Sequence, residues 1–124
     1  MSANILKHLY KLRLTNYWAM KIIRNNIIPF QGFKAINLFG ILFVRKNAYI
    51  DKYTLNHEEI HTYQMKELLY IFFYIWYVIE WIIKLFKYSS KAYRNISFER
   101  EAYDNDRDLN YLKTRKRFSF VRYL

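Results

Sequence analysis

From Asp51 to the last residue the chain contains neither glycine nor proline; Pro29, Gly32 and Gly40 all come earlier. A backbone with no helix breaker and no residue suited to positive φ runs as helices joined by polar connectors. The sequence therefore divides into a short first part with turns and extended segments and a longer helical part. At 124 residues it is long enough for one core and one domain.

In residues 1–26, Ile5, Leu6, Leu9, Leu12, Trp18, Ile22 and Ile23 recur at helical spacing, with Lys7, Lys11, Arg13, Lys21 and Arg24 between them. This predicts one or two basic amphipathic helices. Pro29 and Gln31-Gly32 mark a turn. Residues 35–45, AINLFGILFVR, are rich in branched and aromatic side chains and read as a strand with a bulge at Gly40. A shorter strand at 47–50 completes a hairpin over 34–50. Asp51 or Thr54 can cap a helix over 54–66, since each offers an oxygen to the free amides of a first turn. An apolar helix over 68–87, a polar connector to residue 96, a helix over 97–111 capped by Ser97, and a basic aromatic tail over 112–124 complete the chain. The sequon Asn95-Ile96-Ser97 reads as the loop before that last helix. The fold class expected is α+β, mainly helical.

Residues 54–64, TLNHEEIHTYQ, hold two of the three histidines. Positions i and i+4 share one helical face, so His57 and His61 can present their imidazoles to one ion. Glu58 follows the first histidine and suits the general base that takes a proton from a zinc-activated water. Cysteine is absent, which excludes thiolate ligands, disulfides and a cysteine nucleophile. A catalytic zinc site needs a third protein ligand, and a later helix supplies acidic candidates in SFEREAYDND, residues 97–106. The third histidine, His8, lies in a basic amphipathic stretch and reads as a surface side chain.

This combination resembles the gluzincins, zinc peptidases in which H-E-x-x-H is followed by a glutamate helix of pattern E-x-x-A. Glu99-Arg100-Glu101-Ala102 fits that pattern, and the order of hairpin, HEEIH helix and FEREAY over residues 34–110 is similar to small bacterial proteins with a minimal zincin fold. The resemblance implies Zn2+ held by His57, His61 and Glu99, with Glu58 as base and a peptide or protein as substrate. Glu101 is the alternative third ligand. Residues two apart on a helix point about 200° apart, so only one of the two glutamates can face the ion. Glu59 stands where the family is usually uncharged. Tyr103 stands where many members carry Asp or Asn on the first histidine, and Asn105 could serve there if Glu101 were the ligand.

The run LLYIFFYIWYVIEWIIKLF, residues 68–86, fits either the core helix of a small zincin or a helix at a membrane interface. Its tyrosines and tryptophans suit an apolar–water boundary, and Lys84, Lys87, Lys91 and Arg94 follow. The net charge of +11 favours anionic partners. An anionic membrane surface is the expected one; nucleic acid, contacted through Tyr111 to Tyr123, is the less favoured. The N-terminus lacks the features of a secretory signal, so the expected location is cytoplasmic, with membrane association through 68–87. The competing function is a non-catalytic basic membrane- or nucleic-acid-binding module retaining the zincin fold.

Overall fold

A computed structural model describes residues 20–124. The expected N-terminal helices, and His8, lie outside the described residues up to residue 19. Within them, the end of that segment is a strand: β1, Lys21–Asn25, runs parallel to the later strand Ile41–Arg45, with Ile22 beside Leu42 and Ile23 beside Phe43. Lys21 and Arg24, three apart, fit a helical pattern equally well, but the adjacent β-branched Ile22 and Ile23 gain more by pairing along a sheet.

The single bulged strand expected over 35–45 is instead two strands. β2, Ala35–Leu38, and β3, Ile41–Arg45, pair antiparallel around a two-residue turn at Phe39-Gly40. Both turn residues have positive φ, 53° and 84°, as tight hairpins with the right-handed strand twist require. Residues 47–50 form no strand. The sheet order is β1-β3-β2, and Leu42 and Val44 of the central strand are fully buried.

Asp51, not Thr54, caps α1, Lys52–Glu67, its carboxylate accepting from Thr54 N at 2.7 Å. The helix stops at a break over residues 68–70, where Leu69 and Tyr70 both adopt positive φ and Tyr70 N donates to Met65 O at 2.7 Å. α2, Ile71–Tyr88, leaves this break bent by 110° from α1. Two short 3-10 turns, Ser89–Lys91 and Tyr93–Asn95, lead into α3, Ser97–Asn105.

Ser97 does not cap α3. Its Oγ donates to Glu80 Oε2 at 2.6 Å and its backbone N donates to Glu80 Oε1 at 2.7 Å, so a buried carboxylate from α2 serves the free amide end of α3. α3 also ends at Asn105 rather than 111; a separate short helix, α4, spans Tyr111–Thr114. The tail is part of the core. Phe120, within the final 3-10 turn Ser119–Tyr123, is buried against Phe98 with ring centroids 4.6 Å apart. Phe73 and Phe98, 4.5 Å apart, join it with Met65 and Ile96 in one cluster at the junction of α1, α2 and α3.

Candidate metal centre

α1 buries an unusual stripe for a short helix: Asn56, His57, His61 and Gln64 alongside Ile60 and Met65. Polar side chains reach such positions only when each finds a partner, and here each does. Asn37 on β2 holds the hairpin to the helix, donating to Glu58 O at 2.9 Å and Thr62 Oγ1 at 3.0 Å. Gly40 lets the turn close on α1, since a Cβ there would sit 3.2 Å from Thr62 Cγ2.

α3 crosses α1 so that Glu99 meets both histidines. His57 Nε2 lies 3.1 Å from His61 Nε2 and 3.2 Å from Glu99 Oε2, and His61 Nε2 lies 3.3 Å from Glu99 Oε1. All three side chains are buried. A tetrahedral ion with ligands at about 2.0–2.1 Å places its donor atoms about 3.3 Å apart; the two imidazole nitrogens are 3.1 Å apart and each lies 3.2–3.3 Å from one of the two Glu99 oxygens.

The outer ring nitrogens determine what the inner ones offer. His57 Nδ1 faces Asp106 Oδ2 at 3.2 Å, and His61 Nδ1 faces Gln64 Oε1 at 2.8 Å. The Gln64 amide is fixed the right way round, because its Nε2 donates to Phe98 O at 3.1 Å and Glu101 Oε2 at 2.9 Å. Both Nδ1 atoms are therefore donors, and in the neutral rings both Nε2 lone pairs point inward. With Glu99 they make three acceptors around one point and supply no proton between them. Such a cluster calls for a cation.

The titration of these groups agrees. Burial alone would raise Glu99, but His61 and His57 hold its carboxyl well below the usual carboxylate range. Burial alone would lower His61, but the charge and hydrogen bond of Glu99, with Glu58 and Gln64, raise it to about 9. A proton thus takes the cationic role when no metal does. Tyr77 OH donates to Glu99 Oε1 at 2.9 Å, and burial together with the glutamate's charge raises its hydroxyl.

The alternative ligand, Glu101, is elsewhere. Fully buried, it accepts from Arg115 Nε at 2.5 Å, Tyr111 OH at 2.8 Å and Gln64, so it orients a histidine's partner and faces away from the imidazoles. Neither Tyr103 nor Asn105 bonds the first histidine: the Tyr103 ring packs edge-on against His57, 4.5 Å between centroids, and Asn105 Nδ2 donates to Glu101 O and Tyr123 OH. That place belongs to Asp106, which sequence reasoning missed although it lies seven residues, two turns, beyond Glu99 and so at nearly the same azimuth. Asn56, also missed, fixes the chain there by donating to Asp106 O at 2.8 Å and Asp108 O at 3.1 Å. Gln64 could have been found as the residue one turn after His61 on the same face.

No family model, curated protein or solved structure matches this chain. What the fold establishes is a His-His-Glu group close enough to hold a metal ion.

Beside it opens a cavity of about 670 Å³. Glu58, His61, Glu99 and Asn37 are among its polar lining residues, and Phe33, Ile36, Leu38 and Phe73 are among its apolar ones. Burial raises the Glu58 carboxyl above its ordinary value, against the pull of His61 and His57.

Proposed function

We propose that this protein is a zinc-dependent hydrolase acting on peptide bonds. One observation carries the reading: three buried ligand-bearing side chains, His57, His61 and Glu99, converge on one point, and two of them, His61 and Glu99, line a cavity that also holds Glu58. Two imidazoles and one carboxylate are a donor set that suits zinc and leaves a coordination position open. When bound, zinc supplies Lewis acidity, which makes water a nucleophile near neutral pH and polarises a carbonyl. Glu58 accepts the proton of the attacking water and returns it to the leaving amine. Asp106 and Gln64 keep the imidazoles in the required tautomer, and Tyr77 holds Glu99 in place. The apolar part of the cavity suits a hydrophobic side chain of the substrate.

The test is Glu58→Gln against the wild type on a mixed peptide library, with metal content measured on both. The wild type cleaves, and the variant keeps its metal while losing about 10²-fold or more of the rate. Metal in both proteins with cleavage by neither would make the centre structural and the protein a binding module.

A further inference from the structure

In a water-exposed helix the charged residues face out. Until its last turn α2 is arranged the other way. Its inward stripe is Phe73, Tyr74, Tyr77, Glu80, Lys84 and Tyr88, and the helix's one acid, Glu80, is buried, bonded to Ser97 and to Trp76 Nε1. Lys84 lies 3.9 Å from Glu80 with its side chain largely covered. The outward face carries Ile71, Ile75, Ile79, Ile82, Ile83 and Phe86, the last 90% exposed. At its N-terminal end the apolar surface continues through Leu69 to Phe39 at the hairpin tip, whose ring lies 6.1 Å from Tyr70 and 5.2 Å from Tyr74. At the other end Lys87, Lys91 and Arg94 are exposed.

We infer that α2 seats its outward face in the interfacial region of an anionic lipid bilayer, lying along the surface rather than crossing it. Length and shape set the orientation. Eighteen residues make a helix about 27 Å long, short of the roughly 30 Å hydrocarbon core, and among the described residues no single helix is long and apolar enough to cross a membrane. The bent pair of α1 and α2 has the length, but α1 buries the histidines and Gln64, which rules it out as the other half of a span.

Charge selects the occupant. A face this apolar needs cover, and a second copy would bring another +11 against the first. Anionic headgroups instead complement the cations at the helix's C-terminal end. Nucleic acid offers the same negative charge but has no use for an aliphatic face. The aromatic residues at the tail that could stack bases are partly spent inside the fold, Phe120 in the core and Tyr123 on Asn105. With α2 docked, its inner side still lines the cavity through Phe73, Tyr74 and Tyr77, so the candidate metal centre sits about one helix diameter, roughly 10 Å, from lipid.

Co-sedimentation of the full chain with vesicles tests this, comparing phosphatidylcholine alone with an equimolar mixture containing phosphatidylglycerol. Binding is expected on the anionic vesicles, weaker on neutral ones, and lowered about tenfold or more by Ile79→Glu with Ile83→Glu, while zinc content and circular dichroism stay unchanged. Should that pair fail to fold, Lys87→Glu with Lys91→Glu gives the same loss from the charged end. Brominated lipid should quench tryptophan emission in the wild type, less so in Trp81→Phe. Equal binding of wild type and both pairs, a dimer in solution that shields the face, or preference for single-stranded DNA over anionic vesicles would each overturn the inference.

Discussion

At the scale of single residues, the centre depends on which nitrogen of each imidazole carries the proton. Removing the acceptor from either Nδ1 leaves the ring free to present a proton inward. Asp106→Ala and Gln64→Leu are therefore expected to lower zinc affinity about 10- to 100-fold each, read by competition with a chromogenic chelator, without loss of the fold. Affinity should also depend on pH in a definite direction. The metal needs a neutral His61, whose raised pKa of about 9 leaves it protonated in the metal-free protein at neutral pH. Zinc uptake at pH 7–8 should then release about one proton, seen by calorimetry in buffers of differing ionisation enthalpy, and affinity should rise up to about pH 9. The linked stability has the opposite sign. A histidine raised by its folded environment stabilises the metal-free protein fully below pH 6.5 and loses that contribution as pH climbs to about 9, while Glu99 stays ionised throughout. Metal-free melts should fall across that window.

At the scale of elements, the helix carrying the histidines was legible because spacing of four on a helix has one geometric outcome, and Glu99 was legible because Ala102 one turn later lets α3 pack closely. Boundaries were less so. The break after Glu67 contains no glycine or proline; Leu69 and Tyr70 are held at positive φ by tertiary packing, a cost of the order of 1–3 kcal/mol each that local sequence does not announce. β1 was hidden because its partner, β3, lies some twenty residues away, and its basic pattern fits a helix by itself. The cap of α3 was hidden too, since Glu80 comes from another helix. Asp51 is local and was among the two candidates; Asp51→Ala should lower the midpoint of urea unfolding.

At the scale of the whole molecule, the tail closes the structure. Arg115 pairs with Glu67 of α1 and Glu101 of α3, and Phe120 fills the cluster around Phe98. Nothing in a run of basic and aromatic residues at a terminus distinguishes this use from a solvent-facing tail, because the carboxylates that attract Arg115 are 48 and 14 residues away. Arg115→Met would leave two carboxylates without their cation and is expected to destabilise by about 3–5 kcal/mol, and Phe98→Ala by a similar amount through the cavity it opens. Both should reduce metal retention only as far as they unfold the protein. The convergence of α1 and α3 on one point is the claim on which everything functional depends. Elemental analysis of the purified protein tests it most directly: about one zinc per chain for the wild type and little or none for His61→Ala is the predicted result, and a wild type that takes up no divalent metal, or a variant that holds it equally well, would contradict it.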